Sequence, residues 1–152
     1  IFDGFLEAQN KGIDGGEPAI LVDEKFGLQV QKKAKEMGIK FAAPVEKSGQ
    51  KVFDFEYGED FAQKIEEVDA DFVKVLVRWN PNDDEDVRTI QGKKMKQLSN
   101  FLSDSDRKFL LEFLVPATEE QLASVQGDQS RYDSESRKRK DINMAVSLDT
   151  LS

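Results

Sequence analysis

The sequence predicts an α/β fold: a parallel sheet of about four βα units, part of a (β/α)8 TIM barrel. Three observations carry that expectation. Four apolar runs, at 19–22, 41–45, 72–77 and 109–115, alternate with segments whose apolar residues recur at helical spacing. The third run, Phe72 to Val77, is apolar at nearly every position, as in a strand covered on both faces. Each run also delivers polar side chains at or near its carboxyl end: Asp23 and Glu24, Glu46 and Lys47, Arg78 and Asn80, and Glu112. A barrel builds its active site at that face, from the ends of several strands. An open doubly wound sheet is the alternative. It has less use for charges in mid-strand, and Lys74 and Glu112 are such charges.

Taken in order, residues 1–10 form a helix closed by Lys11-Gly12. Asp14-Gly15-Gly16 is a turn, and Pro18 leads into the first strand. Phe26, Val30, Ala34 and Met37 make one helical stripe, which Gly38 ends. The second strand follows at once. Residues 50–57 are a loop whose aromatics, Phe53, Phe55 and Tyr57, are assigned to packing. Residues 59–68 are helical. Along the third strand Phe72, Lys74, Leu76 and Arg78 share one face, and Val73, Val75, Val77 and Trp79 the other. Asp83 or Asp84 caps the next helix, with Val87, Ile90, Lys94, Leu98 and Phe101 as its stripe. After the fourth strand Thr118 caps a short helix, with Gln121 as its capping-box partner. Residues 127–136 read as loop. The tail from 135 to 151 reads as a helix whose basic run, Arg137 to Lys140, is a solvated face.

Composition narrows the chemistry. A net charge of −8 opposes non-specific binding to nucleic acid. There is no cysteine, which excludes disulfides and thiolate nucleophiles. There is no histidine, so acid–base work falls to Asp, Glu, Lys or Tyr. No apolar run approaches the ~20 residues of a membrane helix and no signal peptide is visible, so a cytoplasmic protein without membrane contact is expected. A complete barrel takes roughly 250 residues. The 152 residues are therefore expected to be a single fragment, about half of one, and either paired with a second copy or completed by the missing half.

Lys74 stands alone in an apolar strand, so it is paired, wet or functional; an unpaired buried ammonium costs too much. If the third and fourth strands are neighbours, they lie ~4.8 Å apart and Lys74 meets Glu112. The two then either neutralise each other or act on a substrate. Glu46-Lys47 is a candidate substrate-binding pair or an exposed charged loop. Ser48-Gly49 offers backbone N–H groups to a phosphate, a weak signal on its own. Asp23-Glu24 suggests a hard-cation site to some eyes, but adjacent strand-end carboxylates are more often helix caps.

Four stretches together carry a resemblance: AILVDEKFG (19–27), PVEKSG (44–49), FDFEYGEDFA (53–62) with DFVKVLVRWNP (71–81), and KFLLEFLVPAT (108–118). They resemble the aldolase-like domain fused to the 5-dehydro-2-deoxygluconokinase of bacterial inositol catabolism, from Asp3 to about Tyr132. That domain is in turn similar to the class I tagatose-bisphosphate aldolases. The resemblance implies a (β/α)8 barrel acting on a phosphorylated sugar or sugar acid, without a cofactor or metal. It places an active-site lysine at Lys74 and an active-site glutamate at Glu112. Arg78, Glu46, Lys47 and Asp23 are the candidate substrate-binding residues. The resemblance implies that the first strand and the last ones are missing and puts the Schiff-base lysine on the strand after the fourth, so the 152 residues alone are expected to be inactive. The second function class is a non-catalytic barrel module that supports or regulates a fused sugar kinase.

Overall fold

Four strands pair in the order in which they occur along the chain. A computed structural model describes residues 2–12 and 18–136. Helix α1 (Phe2–Asn10) precedes strand β1 (Ile20–Leu21); α2 (Glu24–Glu36) leads to β2 (Phe41–Pro44). A 3-10 turn (Gly58–Asp60) and α3 (Phe61–Val68) lead to β3 (Phe72–Arg78), and α4 (Glu85–Ser103) leads to β4 (Lys108–Leu114). Two short helices follow, α5 (Glu119–Ser124) and α6 (Gln129–Ser136). Every pairing is parallel and the sheet order is β1-β2-β3-β4. The order never reverses, so the sheet lacks the switch point of a doubly wound fold. It is a singly wound arrangement of consecutive βα units.

The helices cover one face. Phe61 and Ile65 of α3 and Met95, Leu98 and Leu102 of α4 pack on Val73, Val75, Val77 and Trp79. Phe2 of α1 and Ala34 of α2 pack on Ile20, Val22, Phe41 and Ala43. The opposite face carries Leu21, Leu110 and Leu114, all exposed. Phe72, Lys74, Leu76 and Arg78 lie on that same side by strand alternation. The predicted division of β3 into two faces therefore holds, with the valine face dry and the lysine face covered by none of the described helices.

Local chemistry fits each boundary. Asp84 caps α4 by accepting from the N–H groups of Asp86 and Val87. Thr118 and Gln121 form the expected capping box on α5. Gly38 follows α2 at φ 67°, the left-handed conformation that a glycine adopts without a Cβ penalty. Asp71 fixes the amino end of β3: its carbonyl accepts from Lys108 N–H at 2.8 Å and its carboxylate from Phe41 N–H at 3.0 Å.

Two expectations are corrected. The buried stripe of α4 is Gln91, Met95, Leu98 and Leu102, while Ile90 is exposed. The helix is rotated by about one residue from the predicted stripe, because Gln91 is drawn inward by hydrogen bonds from and to the backbone. The stretch 129–136 is helix, not loop; its Tyr132 is buried against the end of β3, a contact that local polarity does not show. The Asp14-Gly15-Gly16 turn and most of the predicted tail helix, including the run Arg137 to Lys140, lie outside the described residues. No described helix is long and apolar enough to cross a membrane.

The α4 register makes a direct test. Leu98 is fully buried, so Leu98→Ala is expected to cost ~2–5 kcal/mol of unfolding free energy. Ile90→Ala is expected to cost less than ~0.5 kcal/mol, as an exposed substitution does. Urea denaturation of both variants, at unchanged m-value, measures the difference. Equal losses would contradict the register.

Candidate functional site

Lys74 is the third residue of β3 and lies opposite Pro44 of β2 and Leu110 of β4. Glu46 is two residues past Pro44, and Glu112 two past Leu110. Both carboxylates thus stand one layer nearer the carboxyl end, on either side of Leu76. The lysine side chain spans that layer, ~6.6 Å along the strands, and places its ammonium between them. Lys74 Nζ donates to Glu46 Oε1 at 2.6 Å and lies 3.4 Å from Glu112 Oε2. Its side chain is only 9% exposed, and that of Glu46 14%, whereas Glu112 is 52% exposed. The ammonium is therefore held firmly on the β2 side and more loosely on the β4 side. Pairing on both sides is what allows a lysine to be buried on a strand at all.

Arg78 stands on the same face, four residues further along β3. Its Nη1 donates to the carbonyl of Gln50 at 2.7 Å, which ties β3 to the loop after β2. That loop is built by the predicted aromatics: Phe53 and Phe55 are buried and meet edge to face. Gln91 supports it from α4, donating to the Arg78 carbonyl at 2.9 Å and accepting from Phe53 N–H at 2.8 Å. Gln91 is almost wholly buried and was missed by sequence reasoning. The available signal was a polar residue in the middle of an apolar helical stripe. Asn80 was expected among the polar side chains at the carboxyl end of the third strand. It is fully buried and donates to the Pro116 carbonyl at 2.8 Å and to Gln121 Oε1 at 2.6 Å. It thereby anchors the segment after β4.

The structure brings Lys74, Glu46 and Glu112 into contact and puts Arg78 on the same face. It does not bring Asp23 or Lys47 to them. Asp23 caps α2, accepting from Lys25 N–H at 2.7 Å, which is the capping alternative. Lys47 is exposed, one residue out of phase with Glu46, and its N–H donates to the Asp54 carbonyl at 2.8 Å. Among the described residues no three acidic side chains converge as a metal site. Glu24 has another task. It accepts from the Tyr57 hydroxyl at 2.8 Å and pairs with Lys64 Nζ at 2.8 Å, joining α2, the β2 loop and α3. The bond to Glu24 holds the Tyr57 hydroxyl above its usual range and raises the Lys64 ammonium likewise.

Comparison with known families gives one match, to the family described as "Uncharacterized protein conserved in bacteria (DUF2090)", over residues 2–131. The chain belongs to the DUF2090 family. A comparison with curated proteins returned no match. The matched range of this DUF2090 chain covers all four strands, the Glu46–Lys74–Glu112 cluster and the Asn80 and Gln91 supports.

One clamp of the site loop shifts an acid. Asp54 pairs with Lys94 of α4, and that hydrogen bond holds its carboxyl below the ordinary value of 3.8. A depressed acid stabilises the fold at pH above its unfolded value and loses that contribution as the pH falls through the folded one. The pair is half exposed, so it is worth only ~0.2–1 kcal/mol. Lys94→Met is expected to destabilise by that amount near neutral pH. The difference from the parent should vanish in acid once Asp54 is protonated, as followed by thermal melts across pH. A difference that persists in acid would assign the loss to packing.

Proposed function

We propose that the helix-free face of the sheet is part of a class I aldolase-like carbon–carbon lyase site for a phosphorylated sugar or sugar acid. One observation carries this reading. A buried lysine is held between two carboxylates at the carboxyl-end side of a singly wound parallel sheet, on the face that no described helix covers. Barrels place their chemistry on that side. A lysine–carboxylate set there supplies proton transfer without the histidine that the chain lacks. The resemblance to the inositol-catabolism domain supports the substrate class, since it assigns Lys74 and Glu112 to the active site.

In this reading an amine from a further strand condenses with the substrate ketone, releasing water and forming the Schiff base. Glu112, half exposed and loosely paired, takes the proton from the hydroxyl next to the scissile bond. The carbon–carbon bond then breaks, with its electrons passing into the protonated imine to give an enamine and an aldehyde. Proton return to the enamine and hydrolysis free the second product. Lys74 supplies fixed positive charge beside the reacting centre. Two carboxylates around one ammonium make that layer net negative, so it repels phosphate. Arg78, one layer further out, is the cation suited to the phosphate or carboxylate end of the substrate.

The test is covalent trapping. A protein that carries these residues together with the further strand, incubated with a ketose phosphate and borohydride, is expected to gain the mass of a reduced adduct on a lysine of that strand. Glu112→Gln is expected to keep the fold and lower turnover by ~10²–10⁴-fold, the usual cost of losing one acid–base group. An absence of adduct, or turnover at the parental rate in Glu112→Gln, would favour the supporting module of a sugar kinase.

A further inference from the structure

We infer that Glu46, rather than Glu112, positions the Lys74 ammonium, leaving Glu112 as the partner able to leave it. The inference rests on the proposed site for its importance, but its geometry stands independently. The Lys74–Glu46 contact is a 2.6 Å hydrogen bond between two nearly buried side chains, while the contact to the half-exposed Glu112 is 3.4 Å. Charge-assisted bonds of the first kind are the short, strong ones.

The backbone around Glu46 explains its fixity. Glu46 lies past the end of β2, where a strand would ordinarily give way to free loop. Here it forms an antiparallel bridge with Phe55. On one side Val45 N–H donates to the Lys74 carbonyl at 3.0 Å; on the other Lys47 N–H donates to the Asp54 carbonyl at 2.8 Å. Glu56 N–H closes back on the Val45 carbonyl at 3.0 Å. The carboxylate is therefore aimed from a main chain pinned to β3 and to its own returning loop. Its second oxygen, Oε2, is buried without a hydrogen-bond partner among the described residues. Among the described residues Lys74 is then the sole hydrogen-bond partner of the Glu46 carboxylate, so the carboxylate depends on the ammonium. Glu112 has no such constraint: it projects from β4, whose far edge is unpaired among the described residues, and solvent already reaches it.

A proton-moving group must swing between lysine, substrate and water, and a positioning group must not. The arrangement divides those tasks between two chemically identical side chains. Loss of Glu46 should release the ammonium, whereas loss of Glu112 should leave it in place.

The test reads Lys74 itself, without substrate. Brief acetylation, quantified by peptide mass spectrometry against the exposed Lys11, measures how accessible and free the amine is. Glu46→Gln is expected to raise Lys74 labelling by ~10-fold or more, matching the loss of one charged hydrogen bond. Glu46→Asp should fall between Glu46→Gln and the parent, and Glu112→Gln should change labelling by less than ~2-fold. The single tryptophan, Trp79, is buried behind β3, so its emission reports whether each variant is folded during labelling. If Glu46→Gln does not fold, Glu46→Asp against Glu112→Gln carries the comparison. Equal or greater labelling in folded Glu112→Gln, or unchanged labelling in the folded Glu46 variants, would overturn the inference. Failure of borohydride trapping alone would overturn only the lyase reading, because the labelling needs no turnover.

Discussion

Strand β3 can hold an ammonium on one face only because its other face is completely dry. Val73, Val75 and Val77 are buried to 1% exposure or less beneath α3 and α4. The strand is paired on both edges, to β2 and to β4. Burial of such side chains contributes ~1.5–3 kcal/mol each, which fixes the strand against slippage. A one-residue slip would send the valines outward and Lys74 into the helices, where its charge has no partner. Packing on the valine face and charge on the lysine face are one constraint seen from two sides.

The ends of β3 repeat that logic with polar groups. Asp71 ties both neighbouring strands at the amino end through its carbonyl and its carboxylate. At the carboxyl end, Asn80 takes hold of the Pro116 carbonyl and Gln121. Gln91 bridges the Arg78 carbonyl to the loop that carries Phe53. Asn80 and Gln91 are buried amides and Asp71 a part-buried carboxylate, each hydrogen-bonded, so each adds direction at little desolvation cost. Together they set the height at which Glu46, Lys74, Glu112 and Arg78 stand.

The cluster also sorts charges by depth. Nearest the strand middle, one ammonium is shared by two carboxylates; further out stands a guanidinium tied to a backbone carbonyl. In the proposed reading that gradient suits a ligand with a reactive polar end and an anionic end, oriented along the strand direction. Alternation and register put Glu112 beside Leu76, and the bridge to Phe55 brings Glu46 to the other side.

Much of this was legible in the residues. Strand and helix order, the two faces of β3, the Asp84 cap and the Thr118–Gln121 capping box follow from local pattern, since they depend on side chains a few positions apart. So does the need of Lys74 for a partner, because a lone cation in an apolar run has no other way to be buried. What only the tertiary structure decided is which partner. Glu112 was the natural candidate from neighbouring strands, yet the closer contact is with Glu46, beyond the end of β2. That choice depends on a loop folding back through Phe55 and on Gln91 reaching it from α4, contacts between residues 38 apart. The rotation of α4 and the buried Tyr132 were settled the same way. Periodicity tells which side of an element is apolar; packing against distant segments determines where each polar side chain ends.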